Sequence, residues 1–200
     1  MEVLMNLPNK ITITRMFLTV LIICILLFPF DSLGINATKL FINESIVVDI
    51  KYLIAGTLFI IAAITDILDG YIARKFNLIT DTGKMLDAIA DKFLLSSVLI
   101  ILSSQGIIHP IIPVIIVTRD IVVDVIKMIV GNKKHTVATV KSGKFKTAFL
   151  MVGITLTLFC NLPFELINVR VSDILLIIAA ALSVYSGIQY YQVNKEAIKE

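Results

Sequence analysis

Six apolar runs, each close to the length that crosses a bilayer, recur along this chain and confine it to a narrow set of folds. They cover Ile11–Phe30, Tyr52–Asp69, Leu86–Leu102, Ile107–Val130, Phe145–Leu162 and Ile174–Tyr191. A helix needs roughly 17 to 25 such residues to span the hydrocarbon layer. Composition agrees: 58% of the 200 residues are hydrophobic and 16% are charged, where a soluble domain carries about a quarter. The expected fold is all-α integral membrane, a six-transmembrane-helix bundle forming a single polytopic catalytic domain over residues 1–200. Residues 1–10, with Met5, Leu7 and Pro8 among polar neighbours, read as a short N-terminal interfacial segment. The first run is too long for a leader's apolar region, holds Arg15, and lacks a small-x-small cleavage site after Phe30. It is expected to be kept as the first membrane helix.

Basic residues in the connections set the orientation. Lys10, Arg15, Arg74, Lys75, Lys84, Lys133, Lys134, Lys141, Lys144, Lys146, Lys195 and Lys199 fall on one side. The other side holds Lys39, Lys51 and Arg170 among Asp31, Glu44, Asp49, Glu165 and Asp173. Both termini are therefore expected to be cytoplasmic, in a multi-pass protein of the cell membrane. The net charge of +3 needs no nucleic acid partner, because anionic headgroups and phosphorylated substrates are nearer at hand. Cys24 and Cys160 lie inside apolar runs and support neither a disulfide nor a zinc site. Asp31–Asp49 reads as an external connection, with Asn43-Glu-Ser45 a chance-prone glycosylation triplet.

At the edges of the second and third runs the chain reads Asp66-x2-Asp69-Gly70-x2-Ala73-Arg74-x8-Gly83-x3-Asp87-x3-Asp91. On helices, the spacings of three and four put Asp66 with Asp69, and Asp87 with Asp91, on single faces. The segment Asn77–Gly83 reads as the turn that brings those faces together, with Asp81 a cap for the third helix. Four facing carboxylates repel one another unless cations neutralise them, and hard oxygen donors suit Mg²⁺ or Mn²⁺. Two ions about 4 Å apart fit such a cluster, the arrangement used for phosphoryl displacement. Gly70, Ala73 and Gly83 leave room beside it for a flat base or a diphosphate, and Arg74 can fork onto phosphate oxygens. A purely structural set of salt bridges, with Lys92, Arg74 or Lys84 as partners, or a cation or proton carrier using the buried carboxylates, is the competing reading. It leaves the small residues on the acidic stripes unexplained.

All eight positions of this pattern match the signature that marks the CDP-alcohol phosphotransferase family, and the chain resembles that family over essentially its whole length. The resemblance implies a helical membrane bundle with a cytoplasmic-side active site, and transfer of a phosphatidyl or related group from a CDP-linked donor to an alcohol with release of CMP. It further implies that Asp66, Asp69, Asp87 and Asp91 hold two Mg²⁺ or Mn²⁺ ions and that Asp91 is the general base. Gly70, Ala73 and Gly83 are expected to line the CMP moiety, with Arg74 on its phosphate and Asp66 also at the donor. A homodimer is implied as well. Two details depart from common family usage: Ala88 stands where proline is frequent, and Asp120 stands where glutamate often follows the arginine.

The acceptor is read from two further stretches. Asn6-Leu-Pro-Asn-Lys-Ile-Thr-Ile-Thr-Arg15 resembles the opening of the family's phosphatidylglycerophosphate-forming members, with Asn9, Thr12 and Arg15 at recurrent polar positions supporting the nucleotide pocket. Arg119 and Asp120 interrupt an apolar helix. At ~1.5 Å per residue Arg119 lies at the depth of Asp91, where it can hold the phosphate of a small acceptor beside the base. Lys144 and Lys146, with Lys141 as a helper, can close on the same phosphate. This arrangement is similar to the phosphate pocket of the phosphatidylglycerophosphate-forming members, and that resemblance implies CDP-diacylglycerol as donor and glycerol 3-phosphate as acceptor, among bilayer lipids. Phosphatidylglycerol, inositol phosphate or serine as acceptor keeps the same chemistry. An Asp124–Lys127 pair, or Arg119 held by Asp120 or Asp124, is the structural alternative for these charges.

Overall fold

Apolar residues three and four apart line one stripe of a helix, and in this chain those stripes meet. The computed structural model describes residues 7–30, 39–42, 46–76, 80–132 and 142–199. Six helices follow the six runs: α1 (Leu7–Leu27), α2 (Ile50–Lys75), α3 (Asp81–Ser104), α4 (Ile111–Asn132), α5 (Ser142–Leu158) and α6 (Val171–Lys199). The buried core is built from their repeating positions: Ile22 and Leu26, Ala55 and Phe59, Leu94 and Val98, Ile112 and Ile116, Leu150 and Ile154, Leu176 and Ala179. Several helices run past their apolar segments; α3 starts at Asp81 rather than Leu86, so its acidic first turns are helical too.

Helix α1 packs against α2 and α3, α6 packs against α4 and α5, and α2 meets α5 where the two groups join. Glycine sets one of these approaches. A Cβ at Gly153 would fall 2.9 Å from Leu176 Cδ2, so α5 and α6 come together only because that atom is missing. Gln105 ties the far ends of three helices, donating to the Leu26 carbonyl at 2.8 Å and accepting from the Tyr52 hydroxyl at 3.1 Å. The opposite end gathers the start of α1, the end of α2, and the starts of α3 and α5.

Two expectations change. The connection from α1 to α2 is not all loop: β1 (Lys39–Ile42) and β2 (Ile46–Asp49) pair antiparallel, with Lys39 opposite Asp49 and Ile42 opposite Ile46. Short β-branched and aromatic runs either side of a polar triplet favour this pairing. The cap of α3 is Thr80, whose hydroxyl accepts from the Gly83 amide at 3.1 Å, and Asp81 is already helical. The glycosylation triplet Asn43–Ser45 lies outside the described residues.

Among the described residues, three helices are long and apolar enough to cross a membrane on length and composition alone, over Asn9–Leu27, Ile50–Ile72 and Val171–Lys195. The others fall short for visible reasons. Helix α4 carries Arg119, Asp120, Asp124 and Lys127 within its 22 residues, α3 carries Asp87, Asp91 and Lys92, and α5 has 17 residues. The outward surface is nonetheless apolar on every helix, with Phe17, Ile67, Ile100, Ile121, Val152 and Ile177 among side chains at least half exposed. A surface this continuous is what a hydrocarbon environment covers, and the protein is a membrane protein.

Candidate active site

Three helix ends place the acids. Asp66 and Asp69 come from the last turns of α2, Asp87 from the second turn of α3, and Arg15 reaches them from α1. Carboxylate oxygens of Asp66, Asp69 and Asp87 all lie within 4.8 Å of one another. Arg15, fully buried, donates from Nη1 to Asp66 Oδ1, and from Nη2 to Asp69 Oδ2 at 2.7 Å and Asp87 Oδ1 at 2.6 Å. Thr12, one turn before Arg15, donates its hydroxyl to Asp69 Oδ2 at 3.3 Å. Among the described side chains, the cation meeting these acids is Arg15, while Lys92 pairs with Asp124 across α3 and α4.

The donor set is all hard oxygen, convergent, and drawn around a positive charge. Convergent carboxylate oxygens are the ligands a hard divalent cation takes, so Asp66, Asp69 and Asp87 form a group fit to hold one in exchange for their contacts with Arg15. Asp91 lies outside the 4.8 Å group, a turn deeper on the same face of α3. Its Oδ1 is buried and has no hydrogen-bond partner among the described residues. It remains within electrostatic reach of Asp66 and Asp87 on one side and Lys146 on the other.

Beside the acids, Asn9 and Gly83 meet. A Cβ on Gly83 would stand 2.7 Å from Asn9 Oδ1 and 2.8 Å from Thr80 Oγ1, so glycine alone lets α1 approach the first turn of α3 this closely. Asn9 and Thr12 are both buried. Gly70 is partly buried on the acidic stripe. The side chains of Ala73 and Arg74 and the whole of Lys141 lie outside the described residues.

Asp91 also lines a cavity of about 300 Å³, at the small end of ligand sites, walled by α3, α4, α5 and α6. Lys92, Arg119, Lys127, Lys144 and Lys146 give it positive charge against Asp91 and Asp120. Lys146 is buried and donates to both Asp120 oxygens at 2.7 Å. Arg119 donates from Nη1 to Asp120 Oδ1 at 2.8 Å, from Nε to the Ser183 carbonyl at 3.1 Å, and from Nη2 to Ser186 Oγ at 2.7 Å. A guanidinium has five N–H groups and an ammonium three, so each cation keeps hydrogens for a ligand. Lys144 lines the same cavity from an exposed position. Asp124 is held by Lys92 and, at 3.8 Å, by Lys127.

The structure therefore brings together Asn9, Thr12, Gly83, Asp66, Asp69 and Asp87 at one focus, and Arg119, Lys144 and Lys146 at another, with Asp91 between them. Two features do not follow from the spacing. Arg15 sits at the centre of the acids, and its signal in the sequence is that an arginine inside an apolar run is costly unless paired. Ser183 and Ser186 hold Arg119, and nothing in a serine within an apolar helix announces that.

The profile of the CDP-alcohol phosphatidyltransferase family matches residues 5–185, and the chain belongs to that family. It is 38% identical over 194 residues to the CDP-diacylglycerol–glycerol-3-phosphate 3-phosphatidyltransferase of Bacillus subtilis (strain 168), covering 97% of either chain. Proteins of the same description match from Rickettsia typhi (strain Wilmington), 34% identical over 95% of this chain and 97% of the relative, and Rickettsia felis (strain URRWXCal2), 32% identical over 96% of both.

Proposed function

We propose that this protein transfers the phosphatidyl group of CDP-diacylglycerol to glycerol 3-phosphate, giving phosphatidylglycerophosphate and CMP. One observation carries the reading: Asp91 stands between an acidic focus suited to a diphosphate with its cations and a basic cavity suited to a small phosphorylated alcohol. The relatives named above support the same donor and acceptor.

Asn9, Thr12, Gly70, Ala73, Gly83 and Arg74 cradle the CDP end of the donor, while its acyl tails stay in the bilayer. Asp66, Asp69, Asp87 and Asp91 would hold two Mg²⁺ or Mn²⁺ ions, and such ions would supply neutralisation of the diphosphate charge. Arg119, Lys146 and Lys144, helped by Lys141, grip the acceptor phosphate and turn its free hydroxyl toward Asp91. The Asp91 carboxylate takes the hydroxyl proton as that oxygen bonds to the phosphatidyl phosphorus. The bond from that phosphorus to the bridging oxygen breaks, and CMP leaves with the electron pair. The excess of cations in the cavity favours a phosphorylated acceptor over serine.

In this reading all six helices cross the cell membrane, charged α3, α4 and α5 being shielded by α1, α2 and α6. The basic connections put the site and both termini at the cytoplasmic face, and the enzyme works as the homodimer the family resemblance implies. The test is CMP release by purified protein from CDP-diacylglycerol with Mg²⁺, across a panel of alcohols. Release dependent on glycerol 3-phosphate is expected; release dependent on another alcohol reassigns the acceptor, and none at all removes the enzyme reading.

A further inference from the structure

Arg119 does not hold its own position. Its stem lies flat on α6 at Gly187, where a Cβ would stand 3.1 Å from Arg119 Cγ and 3.6 Å from Nε. One turn earlier on the same face, the Ser183 carbonyl takes the Nε hydrogen at 3.1 Å, and Ser186 Oγ takes an Nη2 hydrogen at 2.7 Å. Ser186 donates its own proton to the Ser183 carbonyl at 3.1 Å, which leaves its lone pairs turned toward Arg119. Both serines are fully buried. From the other side Asp120 fixes Nη1 at 2.8 Å. Three edges of the guanidinium are thereby set, and its remaining hydrogens share the cavity with Asp91 and Lys146.

We infer that Ser183, Ser186 and Gly187 of α6 form a seat that positions Arg119 for the acceptor phosphate, so that α6 determines acceptor affinity without touching the acceptor. This rests on the reading of the cavity as the acceptor site. Ser183 contributes its backbone, so the side chains that matter are the hydroxyl of Ser186 and the missing Cβ of Gly187. A methyl at Gly187 requires the Arg119 stem to give by a few tenths of an ångström, and the three ties on the head turn that shift into a displacement of the guanidinium.

The experiment is steady-state kinetics of purified Gly187→Ala and Ser186→Ala, with KM measured separately for glycerol 3-phosphate and CDP-diacylglycerol, alongside thermal unfolding. Each variant is expected to raise the acceptor KM roughly tenfold, the scale of one hydrogen bond to a charged group, with the donor KM unchanged. The helix propensity of alanine over glycine, about 1 kcal/mol, offsets the strain of that shift, so Gly187→Ala is expected to melt close to the parent, which separates positioning from folding. In an Arg119→Ala background, Gly187→Ala should add nothing further. An unchanged acceptor KM in both variants, an equal rise for donor and acceptor, or full additivity with Arg119→Ala overturns the seat. If the parent turns over a different alcohol, the acceptor assignment falls and the seat is judged on that alcohol's KM. If the parent releases no CMP with any alcohol, both fall together.

Discussion

Arg15 Nη2 lies 2.7 Å from Asp69 Oδ2, and the same nitrogen reaches Asp87 Oδ1 at 2.6 Å, so one donor from α1 bridges acids on α2 and α3. Neither Asp69 nor Arg15 is exposed to any extent that water can screen. Helix α1 is thus more than a membrane anchor: it sets the separation of the two acidic helices at the depth where the site lies.

Removing that bridge takes from the converging carboxylates the counter-charge they have among the described residues. Arg15→Gln is expected to lose about 3 kcal/mol of stability in chelator, the scale of stranding a buried ion-pair partner. Added Mg²⁺ or Mn²⁺ should restore most of it. Thermal unfolding in detergent, with and without chelator, measures both; a variant melting with the parent in chelator would show that Arg15 does not hold the acids together.

Asp91 lines the cavity and carries a buried oxygen with no hydrogen-bond partner among the described residues. Asp91→Asn keeps its size and removes its basicity. Turnover should fall by roughly 10²- to 10⁴-fold, with CDP-diacylglycerol binding largely retained. Failure of the variant to fold would reassign Asp91 to a structural role.

Arg119→Ala deletes the cation that α6 and Asp120 hold in place. If the guanidinium binds ground-state phosphate, the acceptor KM rises with little change in kcat; equal losses in kcat and kcat/KM would move its contribution to the transition state. Kinetics against varied glycerol 3-phosphate decide, and an unaltered response removes Arg119 from the site.

Chelation should abolish CMP release, and Mg²⁺ or Mn²⁺ should restore it. Direct Mn²⁺ binding, followed by electron paramagnetic resonance, should weaken in Asp69→Asn. Full activity in excess chelator would end the metal proposal.

The helices were legible because bilayer-length apolar runs have few alternatives, and the acids because spacings of three and four define a helical face. What escaped depended on contacts between elements. Arg15 is visible as a charge inside an apolar run, but its three partners lie more than 50 residues away. The hairpin of β1 and β2 is made of four-residue strands, too short for alternation to stand out from an irregular connection. Thr80 and Asp81 are neighbouring residues of equal capping chemistry, so the helix start was open by one position. Gly187 and Ser186 look like ordinary small residues of an apolar helix, and acquire meaning only when Arg119 is laid across them.

Asp120 clasps both Lys146 and Arg119, and this has an effect on traffic through the cavity. In the proposed reading, an incoming acceptor phosphate would find Lys146 and Arg119 already engaged by a resident anion, and would win only a share of each. Grip is thereby moderated, so that a charged guest can be admitted, used and let go instead of lodging for good.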